Sequence, residues 1–174
     1  GRSRVAKDSL EMTDVNMQQA EQDEDHLWAH AASDKTGQTF MSLLQLADKE
    51  RNFWGGYGIV GGHTTLAVGA AFASKYTEDN GVSLVYFGDG AAQQGAFFES
   101  MLLAQLWKLP VVFIIENNHY AMGTSVERHA SETELYKRGI SFEIEGEEVD
   151  GMDVYAVKKA GEKAVKHARS GKGP

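Results

Sequence analysis

The 174-residue chain carries 17 Lys and Arg against 25 Asp and Glu. Its formal net charge of -8 argues against a nucleic-acid or anionic-membrane surface as the main function. It has no cysteine, which excludes a disulfide framework and thiolate chemistry, and no apolar run approaches the roughly 20 residues of a membrane span.

Residues 1–35 are polar and acidic with weak helical periodicity, either a mobile arm or a surface helix. Gly1-Arg2-Ser3-Arg4 is briefly basic, but Glu11, Asp14, Glu21, Asp23, Glu24 and Asp25 follow, so no transit peptide is expected and the chain reads as soluble and intracellular in type. Phe40, Leu43, Leu44, Leu46 and Ala47 form a short apolar helical face. Gly55-Gly56-Tyr57-Gly58 and Gly61-Gly62 make a glycine-rich loop around Ile59-Val60. A helix over Thr64–Tyr76 is rich in small residues (Ala67, Gly69, Ala70, Ala71, Ala73), which suits close approach of another backbone, such as a second subunit. A turn over Thr77–Gly81 leads to a buried strand, Val82–Phe87. A helix is expected over Ala92–Lys108, with Trp107 and Leu109-Pro110 as core closing it into a second strand, Val111–Ile115. A long loop to about Ser131, a short helix through Lys137 and a third strand ending at Glu147–Asp150 come next. Asp153 caps a last helix in which Val154, Val157, Ala164, Val165 and Ala168 recur at helical intervals, with Gly171 beyond its end.

The spacing of two polar pairs is the most informative feature. Gly88-Asp89-Gly90 follows the first strand and Asn117-Asn118 closes the second. Strand, helix, strand makes a parallel crossover unit, in which both strand ends open on one sheet edge. Asp89 and Asn118 can therefore converge on one ligand, and a carboxylate with an amide oxygen suits a hard cation carrying a phosphate. Gly90 and Ala91 open the following helix, where unpaired N–H groups attract anions. Gly88 and Gly90 let backbone approach a phosphate closely.

This motif resembles the one by which thiamine diphosphate enzymes hold their cofactor through magnesium. Three further stretches, residues 104–110, 116–128 (with Met122-Gly123-Thr124-Ser125-Val126-Glu127-Arg128 the narrowest) and 149–154, are similar to the alpha subunits of pyruvate dehydrogenases. The resemblance runs from about Lys49 to Pro174, leaving residues 1–48 as an unmatched arm and residues 49–174 as part of a thiamine diphosphate-binding domain. It implies an α/β, three-layer thiamine diphosphate-binding fold with a mainly parallel sheet, present in part.

It also implies site roles. Asp89, Asn118 and the Tyr120 carbonyl would hold Mg2+, while Gly88, Gly90 and Ala91 lie against the diphosphate. The backbone of Gly58 and Val60 would meet the aminopyrimidine ring, although Val60 suits packing equally. The implied reaction is oxidative decarboxylation of pyruvate, with acetyl transfer to a lipoyl group. The implied partners are a beta subunit and the lipoyl acyltransferase, without nucleic acid or membrane, in a bacterial cytoplasm or mitochondrial matrix. The carboxylate that activates the pyrimidine belongs to the beta subunit in this family, so the chain alone is expected to be inactive. Other 2-oxoacid or acetoin dehydrogenase alpha subunits, or a noncatalytic cofactor-binding or subunit-pairing fragment, are the alternatives.

The chain departs from the family pattern at three places. Gln45 stands where the family has a histidine, Gly61-Gly62-His63 replaces Gly-Ala-Gln, and Gln93 replaces an asparagine. His63 is a candidate for acid/base chemistry or, failing that, an exposed or capping residue. His26, His30, His119, His129 and His167 lack metal-site spacing and read as surface residues. Ser125 matches a regulatory phosphorylation site of some animal family members, and a hydrogen bond ordering its loop is the simpler reading. The family's Tyr-Arg pair that clamps the diphosphate and its His-rich loop have no counterpart in these residues.

Overall fold

The computed structural model describes residues 52–174. Expectations for Gln45, the apolar face at 40–47 and the boundary at 48/49 lie outside them. Ile59–Pro174 form one compact unit, and residues 52–58 belong to another.

Helix α1 spans His63–Thr77 and strand β1 spans Ser83–Gly88. A 3-10 turn at Ala91–Gln93 and helix α2, Gly95–Leu106, lead to strand β2, Val111–Glu116. β1 and β2 pair in parallel, Ser83 with Val111 through Gly88 with Glu116. Mixed helix and parallel sheet is the α/β class that the alternation of periods predicts. The helix expected at 92–108 is divided, because Gln94 is extended (φ -75°, ψ 139°) and restarts it at Gly95.

Phe97, Ser100, Met101 and Ala104 recur at three- and four-residue steps and are the buried face of α2. Thr64, Val68 and Ala71 do the same for α1. Both stripes meet Val85 and Phe87 of β1. Phe97 is the hub, its ring centroid 4.8 Å from Phe87 and 5.5 Å from Phe113. Burying such a ring stabilises the fold by about 1.5–3 kcal/mol. On the other face of β1, Leu84 and Tyr86 remain exposed. Leu109 is fully buried as expected, but Trp107 is 44 % exposed and leans on Phe72, so it is a surface aromatic and not core.

Three expectations need correction beyond β2. The long loop is ordered as a hairpin, β3 (Tyr120–Ala121) with β4 (Thr124–Ser125), followed by the single-turn helix α3, Val126–His129. The short helix is a 3-10 segment, Leu135–Phe142. The third strand is not formed at Glu147–Asp150, where the chain is irregular. Four of its seven residues from 144 to 150 are Glu or Asp and most are exposed, so no apolar face draws the segment onto the sheet. The last helix, α4, spans Val154–His167, and Asp153 caps it by accepting from Tyr155 and Ala156 N–H. Its apolar positions are only partly covered: Val154 and Val157 are exposed, and Ala168 just beyond is buried. Gly171 ends the following turn at φ 77°.

Candidate functional site

The turn after β1 and the loop after β2 leave the sheet together. Gly88 lies opposite Glu116 in the parallel register, so Asp89 and Asn118 both follow the carboxyl edge. Their loops touch: a Cβ added to Gly90 would lie 2.7 Å from the Ala121 Cβ.

Asp89 is 2 % exposed. A carboxylate buried so deeply needs a hydrogen-bond partner, and it has one in His129. The Nε2 of that ring lies 3.0 Å from Asp89 Oδ2, across 40 residues of sequence. The carboxylate accepts, so Nε2 donates. His129 is largely covered and its Nδ1 is buried without a partner. The surface reading of His129 is thereby corrected. Nothing in its local spacing marks it, because the contact depends on how the intervening loop folds.

That folding is built from short-range hydrogen bonds. Asn117 Oδ1 accepts the N–H of His119 at 3.1 Å, and Asn118 Oδ1 accepts that of Tyr120 at 3.0 Å. Asparagine favours such turns because its amide mimics a backbone carbonyl. The hairpin follows, and Val126 N–H donates to the His119 carbonyl at 2.9 Å. Val126 is 1 % exposed, in a small core with Ala130, Leu135 and Ile115 of β2. Anchoring Val126 carries His129, at the end of α3, back over Asp89. Glu127 is exposed on the same turn. Its own main-chain N–H, then the Ser125 hydroxyl, holds its carboxyl below the usual carboxylate range.

The other expected site residues are distributed as follows. Ala91 is buried, and Gly88 has open space where a Cβ would point. Tyr120 is in β3 with its side chain exposed. Val60 is 63 % exposed, which disfavours a packing role within its own unit. Gly58 is an exposed residue of the other unit. His63 is neither free nor a helix cap: its Nε2 lies 2.7 Å from the Tyr86 carbonyl and donates to it, with the ring edge-on to Phe87. Gln93, one of the departures from the family pattern, accepts from Arg138 Nη2 at 2.9 Å, and Arg138 lies over the Phe98 ring. Neither Arg138 nor its link to Gln93 was marked by sequence spacing.

A phosphate-bearing hard cation suits this chemistry. Among the described residues no cluster of three or more His, Asp or Glu forms a self-sufficient metal cage. Asp89 offers one buried carboxylate, and Asn118 an amide oxygen with a second lone pair beyond the one used by Tyr120. With a main-chain carbonyl these are hard oxygen donors, too few for a full shell and therefore suited to a cation that arrives with phosphate and water.

The chain belongs to the Dehydrogenase E1 component family, whose sequence pattern matches residues 13–174. The match begins at residue 13, inside the arm that carries no recognisable family motif. The chain is similar to the pyruvate dehydrogenase E1 component subunit alpha of Rhizobium meliloti (strain 1021), 56% identical over 131 residues, 75% of this chain and 38% of that protein. The Zymomonas mobilis protein of the same name is 50% identical over 131 residues, 75% of this chain and 37% of its own length. The mitochondrial protein of Sminthopsis macroura is 56% identical over 124 residues, 71% of this chain and 34% of its own. The chain thus spans about a third of the length of these curated relatives.

Proposed function

We infer that this chain is the cofactor-binding part of a pyruvate dehydrogenase E1 alpha subunit, acting in thiamine diphosphate-dependent oxidative decarboxylation of pyruvate with acetyl transfer to lipoyl groups. The observation that carries this is the parallel register that starts the Asp89 turn and the Asn118 loop from one sheet edge. The similarity to alpha subunits that are named for pyruvate dehydrogenase supports the substrate.

Asp89 supplies a carboxylate oxygen to Mg2+, Asn118 its amide oxygen and Tyr120 its carbonyl. Gly90 and Ala91 offer the diphosphate the N–H groups of a helical turn's start, which have no partner inside that turn. Gly88 leaves the approach clear of a side chain. Val60 presents its backbone to the aminopyrimidine. Thiamine diphosphate, when bound, supplies the carbanion-stabilising chemistry, and the chain supplies position and electrostatics. His63 donates from Nε2 to the Tyr86 carbonyl, and its Nδ1 has no partner among the described residues, so any proton-transfer role falls to Nδ1. The activating carboxylate is assigned to a beta subunit, and the acetyl acceptor is the lipoyl acyltransferase. The overall architecture is the three-layer thiamine diphosphate-binding fold, in a bacterial cytoplasm or mitochondrial matrix.

Calorimetric titration with thiamine diphosphate and Mg2+ tests the site. Asp89→Asn keeps an acceptor for His129 but removes the charge on the cation. Losing even an outer partner of a metal commonly costs about 10- to 100-fold in affinity, so Asp89→Asn should weaken magnesium-dependent binding by at least about that much. Unchanged binding in a folded variant would remove Asp89 from the metal site.

A further inference from the structure

The contact between His129 and Asp89 does more than satisfy a buried carboxylate. One carboxylate oxygen, Oδ2, is tied to His129 Nε2 at 3.0 Å. Oδ1 keeps both its lone pairs for a cation, and Oδ2 keeps one. His129 is itself held: α3 is anchored through Val126 in the small core, and Val126 N–H bonds to the His119 carbonyl. The backbone that carries the ring is therefore tied to the hairpin that begins at Tyr120.

We propose that His129 is a positioning residue that makes Asp89 a one-oxygen ligand and so favours Mg2+ over Ca2+ at this site. The inference rests on the metal role of Asp89 and Asn118 given above. Its basis is geometric. Mg2+ demands a near-octahedral shell of single oxygens at about 2.0–2.1 Å, whereas Ca2+ accepts two oxygens of one carboxylate in a larger, looser shell. A ring N–H on Oδ2 takes one of that oxygen's lone pairs and holds the carboxylate plane, so Oδ1 is the stronger donor and two-oxygen chelation is disfavoured. The ring donates from Nε2, so it orients the ligand without entering the coordination shell, as partners of ligating carboxylates commonly do. The same loop carries Asn118 and Tyr120, so one hairpin sets both the other donors and the orientation of Asp89.

The test uses the full chain with thiamine diphosphate and Mn2+, whose paramagnetic resonance signal reports binding, displaced by Mg2+ or by Ca2+. His129→Leu keeps apolar volume and removes the donor, and His129→Ala removes both. Each should weaken Mg2+ by about 10- to 100-fold while Ca2+ changes by less than about threefold, because the freed carboxylate can now chelate. His129→Gln, which places an amide N–H near the Nε2 position, should restore the preference for Mg2+. Circular dichroism identifies which variants are folded, and either folded donor-free variant suffices. Equal losses for both ions would mean that His129 merely supports the loop, and no loss for either would mean that it does not orient Asp89; both overturn the proposal. A Gln variant as impaired as Leu would also overturn it. Asp89→Asn separates the two levels: if it leaves Mn2+ binding intact, the metal-site reading itself fails, whatever His129 does.

Discussion

Gly90 has φ -65° and ψ -40°, dihedrals that any L-residue adopts, so conformation does not require glycine there. Space does. A Cβ would meet Ala121 at 2.7 Å, closer than carbon atoms pack, and something must move. What moves is the hairpin that carries Asn118 and Tyr120, since the turn on the Gly90 side is fixed by the buried Ala91 and Ala92. Gly90→Ala should therefore cost about 1–3 kcal/mol, the usual range for overpacking, and lower magnesium-dependent thiamine diphosphate affinity as the two loops separate. Gly95→Ala is the control, because a Cβ there meets nothing within 4 Å. Thermal melts and calorimetry of both variants measure this; equal behaviour would mean that the loop contact carries no functional strain. Asp89 and Asn118 were both legible in the sequence, as polar residues at strand ends. His129 was not. Its partner is 40 residues away, and local spacing holds no record of a contact made by folding back.

At the scale of elements, the end of α2 shows how a backbone signal can be met by an unfavourable residue. Leu109 N–H bonds to the Ala104 carbonyl at 2.8 Å and Lys108 N–H to that of Gln105 at 3.1 Å, the two bonds of a Schellman ending. Lys108 adopts the left-handed conformation this needs, at φ 48°. For a residue with a Cβ that conformation costs roughly 1–2 kcal/mol, so Lys108→Gly should stabilise the fold by about 1 kcal/mol, seen as a higher denaturation midpoint. A lower midpoint would show that the Lys108 side chain contributes more than its backbone costs. Lys75 also serves this terminus, with Nζ 2.5 Å from the Trp107 carbonyl. The strands β1 and β2 were legible because continuous apolar runs bounded by turn signals leave little choice. The break at Gln94 was not, because a 3-10 turn and an α-helix share the same residue preferences. The expected third strand failed for a nonlocal reason, since residues 144–150 would have had to find a sheet edge with few apolar side chains to hold them there.

At the scale of the molecule, α1 divides into two faces. Thr64, Val68 and Ala71 turn inward, while Leu66, Gly69, Ala73 and Tyr76 share an exposed side. Gly69 has no atom within 4 Å of where its Cβ would be, so a side chain there leaves the unit's own packing untouched. In the proposed pairing with a beta subunit, this face is the close-approach surface. Gly69→Trp should keep the fold but reduce association with the beta chain in sedimentation. Gly69→Ala should be neutral for assembly and slightly stabilising, since glycine inside a helix costs about 0.5–1 kcal/mol relative to alanine. Assembly unaffected by the tryptophan would place the interface elsewhere. Sequence alone determined the α/β class, the two parallel strands, the Asp153 cap and the polar pair at the strand ends, because each follows from local periodicity or from a residue type at a chain reversal. The tertiary structure alone decided that His129 holds Asp89, that His63 is committed to Tyr86, that Trp107 is a surface residue and that the acidic segment after Ile144 stays off the sheet. Each of these depends on which distant groups compete for the same space or hydrogen bond, and that is settled only when the whole unit packs.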